Sequence, residues 1–175
     1  MNIYLVRHGE TDWNKKKILM GRADVPLNAD GISQAETTAK KLANVDFDVC
    51  FCSPQLRARK TAKIICEERK IEIIKDDLLM ETDAGDYSGK NLDEIDWDAY
   101  VKDPSVESGK HVMSRALAFM DKLDNLVADN VLIVSHSGLI KNLSFILRGG
   151  KPEDYSWDNQ PNISNAEIIK IEWKK

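Results

Sequence analysis

Two short apolar runs each stop abruptly at a histidine. Ile3-Tyr4-Leu5-Val6 gives way to Arg7-His8-Gly9-Glu10-Thr11, and Val131-Leu132-Ile133-Val134-Ser135 gives way to His136-Ser137-Gly138. Short runs that are apolar throughout, rather than alternating, are the pattern of strands buried on both faces of a parallel sheet. Such sheets carry helices on both faces and place their ligand crevice beyond the carboxyl ends of the strands. The two histidines are therefore predicted on one edge of one sheet, with Arg7 beside them.

The intervening chain supplies the helices. Asn28 is a predicted N-cap, followed by Ile32, Ala35, Ala39 and Leu42 at helical spacing. Val49-Cys50-Phe51-Cys52 is a further buried strand, and Ser53-Pro54 reads as a cap with proline at the first helical position. The helix predicted there runs to about Arg69 and carries Arg57 in its first turn, where it can reach back over the strand ends. Residues 71–74 form a third strand, and Leu78-Leu79-Met80 leads to Glu81 in a glycine-bearing loop. Residues 76–103 hold ten acidic side chains against Lys90 and Lys102, and read as a helix or lid over the sheet edge. Val112, Ala116, Phe119, Met120, Leu123 and Val127 form an amphipathic helix stripe, and His111 just before it reads as a surface histidine. Residues 139–147 look helical, and Ile169, Ile171 and Trp173 alternate in a closing strand. No repeat or low-complexity linker divides the chain. Residues 1–175 are predicted to form one α/β domain, with a mostly parallel sheet between two helical layers.

Net charge of −4 argues against a nucleic-acid or anionic-membrane surface, so any anion site is a local basic pocket. Lys15, Lys16 and Lys17 are either a solvated face or a rim that attracts such an anion. Cys50, Cys52 and Cys66 have neither metal-type spacing nor a disulfide framework, and read as reduced core thiols. No signal peptide or bilayer-spanning stretch is recognisable, which makes cytoplasmic residence the expectation. Two cations, Arg7 and Arg57, converging with two imidazoles suit a dianionic phosphoryl group. A metal fits poorly, because no carboxylate or thiol supports the histidines and the arginines would repel a cation.

With these residues placed, the chain resembles the histidine phosphatase superfamily, in its phosphoglycerate-mutase-like branch. The resemblance runs from Val6-Arg7-His8-Gly9-Glu10-Thr11 through Cys52-Ser53-Pro54-Gln55-Leu56-Arg57-Ala58 and Leu79-Met80-Glu81 to Val134-Ser135-His136-Ser137-Gly138. Glu107-Ser108, Arg115 and the polar turn before the last strand also belong to it. It implies a phosphoglycerate-mutase-like three-layer fold and a phosphohistidine intermediate on His8. Arg7, Arg57 and His136 would hold the phosphoryl oxygens, with further contacts from Asn14 and Ser137. Glu81 would give a proton to the leaving alcohol, then act as base for water. This chemistry needs positioning and charge neutralisation and no cofactor or metal.

Several positions depart from the family pattern. Ser137 replaces a usual glycine, Ala84 and Tyr87 replace a usual Phe and Trp, and Val106 stands where glycine usually precedes Glu-Ser. The glycolytic mutases of the same family are longer and carry an adjacent Arg-Arg pair for the substrate carboxylate. This sequence has no such pair, and its corresponding segment is acidic. A phosphatase acting on a small phosphorylated metabolite is the expectation, α-ribazole 5′-phosphate or a sugar phosphate among the candidates. The alternatives are a mutase and a non-catalytic phosphate-binding module, and the sequence leaves room for a homodimer.

Overall fold

The computed structural model describes residues 1–174. Lys175, the last residue of the predicted domain, lies outside the described residues. The five strands are β1 (Asn2–Arg7), β2 (Val49–Cys52), β3 (Glu72–Lys75), β4 (Asn130–Ser135) and β5 (Ile168–Glu172). They form one sheet in the order β3-β2-β4-β1-β5, in which only β5 runs antiparallel, along β1. The helices are α1 (Asp12–Lys15), α2 (Ala29–Lys41), α3 (Leu56–Cys66), α4 (Trp97–Tyr100), α5 (Gly109–Asp124) and α6 (Ser137–Leu147).

The pleat explains the layers. Ile3 and Leu5 of β1, with Val131 and Ile133 of β4, face a core completed by Val112, Phe119 and Leu123 of α5 and Leu139 and Leu143 of α6. Tyr4, Val6, Leu132 and Val134 face the other way, onto Ala58, Ala62 and Ile65 of α3. Helices thus cover both faces of the sheet, as the uninterrupted apolar runs require. Leu132 and Ile133 at the sheet centre are fully buried, and each such side chain contributes about 1.5–3 kcal/mol. Cys50, Cys52 and Cys66 are buried and unbridged.

Local chemistry shifts several predicted boundaries. Asn28 caps α2 as expected, its side chain accepting from Gly31 N at 2.8 Å. The third helix starts at Leu56, later than the Ser53-Pro54 signal implies. Its cap comes from elsewhere, because Asp24 Oδ1 accepts from Leu56 N, and Ser53 is left to serve the site. The stripe assigned to α5 does not reach Val127, which is 98% exposed beyond the helix end at Asp124. His111 is exposed, as the sequence suggests, and is also tied into local bonding. Its backbone N–H donates to the Ser108 cap, and its Nδ1 stands 3.2 Å from Glu107 Oε1.

The acidic segment forms neither a long helix nor a free lid. It is made of single 3-10 turns at Asp77–Leu79, Gly85–Tyr87 and Leu92–Glu94, plus the one-turn α4. Backbone hydrogen bonds from Gly89 to Leu19, Leu19 to Lys90 and Leu92 to Lys17 lace it to the chain after α1.

Candidate active site

Register brings the two histidines together. Arg7 of β1 pairs with Ser135 of β4, and His8 N continues the ladder by donating to Ser135 O at 2.9 Å. His8 and His136 therefore leave adjacent strand ends side by side, with ring centroids 5.1 Å apart. The first turn of α3 then lays Arg57 across them. Its Nε donates to His8 Nε2 at 3.2 Å, while Nη1 and Nη2 grip Ala23 O and Gly21 O at 2.7 and 2.9 Å.

These bonds fix the His8 tautomer. Nδ1 lies 2.7 Å from Gly9 O, and a carbonyl can only accept, so Nδ1 carries the proton. Arg57 Nε can only donate, so the lone pair sits on His8 Nε2. Both histidines are held well below the ordinary 6.5, first by burial and then by Arg57 and other neighbouring charge. Burial is thus a larger cause of neutrality at His8 than the arginines that the motif alone suggests. Arg57 is itself pulled down to about 10 by burial, against the carboxylates of Glu81 and Asp24, and remains a cation at neutral pH. Two buried donor-capable atoms here have no hydrogen-bond partner among the described residues, Arg7 Nε and His136 Nδ1. A buried polar group without a partner is costly, and the oxygens of a bound anion would satisfy both.

Glu81 reaches the same edge from its loop. Its Oε1 accepts from Thr82 N at 2.9 Å and its Oε2 from Gly138 N at 3.4 Å, at the start of α6. A Cβ on Gly138 would lie 2.3 Å from Glu81 Oε1, so any larger residue there would push the carboxylate aside. The first amides of α6, at Ser137-Gly138, are therefore partly engaged by Glu81. Tyr100 and Tyr155 stand near this carboxylate, and burial together with its charge pushes both phenols up to about 12. Asn14 sits in a capping box in which its Oδ1 accepts from Thr11 N, and it accepts from Asn165 Nδ2 as well. Its amide nitrogen is the end left to donate.

A second row of side chains, which the motif reading left without roles, holds these groups in place. Thr61 Oγ1 accepts from Gly9 N and donates to Arg57 O. Gln55 links Glu81 N to Gly21 O, Asn165 donates to His8 O, and His136 Nε2 lies 2.8 Å from Ser53 Oγ. Buried Glu107 binds Arg115 Nε and Nη2 at 2.7 and 2.9 Å, and Arg115 Nη1 donates to Leu78 O and Met80 O. Burial works to raise the Glu107 carboxyl, but bonds from Arg115 and Asp83 N, with Arg22 beside them, hold it below its usual range. That pair anchors the loop carrying Glu81. Ser53, Gln55, Glu107, Arg115 and the polar turn holding Asn165 all lie in the stretches that carry the family resemblance, yet their tasks depend on partners distant in sequence.

Lys15 and Lys17 do not fold over the site, since they pair with Asp30 and Asp93 on the exposed surface. A crevice of about 580 Å³ lined by Arg22, Asp83, Glu107 and His111 lies beside the Glu81 loop, not over the histidines. A hollow of about 640 Å³ lies away from the site, around Phe47 and Arg69. Among the described residues no three His, Cys, Asp or Glu side chains cluster as metal ligands, and no helix is long and apolar enough to cross a membrane.

The neutral buried rings make stability depend on pH with a definite sign. On unfolding, both imidazoles regain their ordinary basicity, so below about pH 6.5 the unfolded chain binds more protons. Stability is expected to fall as pH drops below that value, and these two groups leave it unchanged above. Thermal melts between about pH 5 and pH 8 should show a steeper acid-side loss for the protein than for His136→Asn. Equal slopes would contradict the assignment of His136 as neutral and buried.

Known proteins resemble this chain in sequence and fold. Residues 3–175 match the family described as histidine phosphatase superfamily, branch 1. A Bacillus subtilis protein named "Uncharacterized phosphatase PhoE" is 34% identical over 176 residues, covering 98% of this chain and 91% of its own. A 2,3-bisphosphoglycerate-dependent phosphoglycerate mutase of Parvibaculum lavamentivorans is 33% identical, with 95% of each chain covered. The solved α-ribazole phosphatase of Shigella flexneri superposes with a TM-score of 0.86 at 28% identity, over 98% of this chain and 90% of its own. Matched over nearly its whole length, the chain belongs to the histidine phosphatase superfamily.

Proposed function

We propose that the protein hydrolyses phosphomonoesters of small metabolites by way of phospho-His8. The observation that carries this is the His8 tautomer: a neutral ring with its lone pair on Nε2, inside a pocket of cations with unpartnered donors. In the first step Nε2 attacks phosphorus, the bond to the leaving alkoxide breaks, and Glu81 supplies the alcohol's proton. Arg57 Nε, which caps the lone pair in the free site, becomes available to a phosphoryl oxygen as the N–P bond forms. Arg7, His136 and the Asn14 amide hold the remaining oxygens, with Ser137 at the start of α6 beside them. In the second step water attacks phosphorus, Glu81 takes its proton, and the N–P electron pair returns to Nε2. Fixed donors aimed where charge develops are the main catalytic resource of such transfers. No step draws on a metal or cofactor, and the donor set, two arginines and two imidazoles, suits an oxyanion and not a cation.

The relatives include proteins named as phosphatases and as mutases, so water must be distinguished from a second substrate hydroxyl as acceptor. A mutase keeps its bisphosphate intermediate in place while it reorients, which calls for strong fixed cations. The adjacent Arg-Arg pair that serves this in the longer mutases is absent here. With 3-phosphoglycerate and catalytic 2,3-bisphosphoglycerate, interconversion to 2-phosphoglycerate should be slower than phosphate release from a good ester. Faster interconversion would make the protein a mutase, and no hydrolysis of any aryl phosphate would make it a binding module. An α-ribazole 5′-phosphate or a sugar phosphate is compatible with the site.

A further inference from the structure

Helix α6 carries a cation, Lys141, that the mechanism above does not use. Lys141 follows Gly138 by one helical turn, so the two share the helix face that meets Glu81. The residue is only 4% exposed, and lysine is almost never buried unless paired. Yet no acceptor among the described residues bonds its ammonium, which instead stands 3.9 Å from the centroid of the Trp157 ring. An aromatic face orients a cation but leaves its charge in place. Burial and the neighbouring Arg7 push this ammonium below its ordinary 10.5, while Glu81 and Asp158 act against them without ion-pair contact. Glu81 is already held by two backbone amides. The stem is buried while water still reaches the ammonium, and no anion among the described residues pairs with it.

We propose that Lys141 selects substrates by pairing with a second anionic group, a carboxylate or a further phosphate, on the alcohol that leaves His8-bound phosphate. This rests on the phosphomonoesterase mechanism above and adds the chemical class of the leaving group. The acidic segment of residues 76–103 does not by itself exclude such substrates. Four of its ten acids are engaged locally: Asp76 pairs with Lys122, Asp93 with Lys17, Asp96 caps α4, and Asp103 accepts from Ser105. Lys141 meanwhile sits among apolar helix residues in sequence, so no pattern singles it out as a binding group.

The test compares phosphate release from matched pairs. 3-Phosphoglycerate and glycerol 3-phosphate differ by a carboxylate against a hydroxymethyl group, and fructose 1,6-bisphosphate and fructose 1-phosphate by the second phosphate. In at least one pair the wild-type kcat/KM should favour the more anionic ester by about tenfold or more, the scale of one charge-assisted hydrogen bond. The pair that shows it tells carboxylate from phosphate. Lys141→Met should collapse that ratio toward one, and Lys141→Arg should keep most of it. A ratio unchanged in Lys141→Met, or no preference in either pair for the wild type, overturns the proposal. The wild-type comparison stands even if Lys141→Met does not fold. Loss of p-nitrophenyl phosphate hydrolysis by the wild type would instead overturn the underlying mechanism, so the two failures are distinct.

Discussion

His8→Ala is expected to lower turnover by at least about 10⁴-fold on every phosphomonoester, because residues that act as a unit in covalent catalysis lose most of their effect together. Its position at a strand end suggests that the loss costs little packing. The structure asks for more, since the ring is 1% exposed, packs against His136 and accepts the Arg57 Nε bond. Removing it leaves a buried guanidinium donor without its acceptor, which should cost about 1–3 kcal/mol of stability without loss of the fold. Steady-state assays with melts on the same preparation check both parts. A folded variant that keeps more than a trace of the rate would place the nucleophile elsewhere.

Glu81→Gln should separate substrates by leaving group. Hydrolysis of alkyl phosphates needs a proton on the departing oxygen, so it should fall by about 10²–10⁴-fold. p-Nitrophenyl phosphate expels a stable phenolate and should lose far less. The amide keeps the shape of the carboxylate but only one of its two acceptors, so it can hold the 2.9 Å bond from Thr82 N and must give up the longer one from Gly138 N. Equal losses on the two substrates, measured where transfer to His8 limits the rate, would remove Glu81 from the role of proton donor.

What the sequence made legible follows from how local each signal is. The strand ends at Arg7-His8 and Ser135-His136 are set by runs of apolar residues, and parallel pairing of β1 with β4 brings them together. The cap at Asn28 is likewise local. Where a helix start or a turn is set by a distant group, local reading misplaces it. Asp24 capping α3 moves the start past Pro54, and the lacing of residues 89–92 to residues 17–19 replaces a lid with turns. The proposed reacting groups are legible because the family resemblance assigns them. Their supports, Gln55, Thr61, Glu107 with Arg115, and Asn165, are not, because each works through a hydrogen bond across the fold. The proposed role of Lys141 is illegible for a further reason: a lysine inside an apolar helix reads as a solvated position, and only its buried stem against Trp157, with no anion paired to it among the described residues, distinguishes it.

Rapid quench of a single turnover tests the covalent intermediate most directly. The protein, in excess over a labelled ester, is stopped in alkali at intervals, and the phosphate-bearing peptide is identified. Alkali-stable, acid-labile phosphate on the peptide containing His8, rising before inorganic phosphate and absent in His8→Ala, is the expected result. Inorganic phosphate appearing with no histidine-bound phosphate at any time, or phosphate on another residue, would contradict transfer through His8.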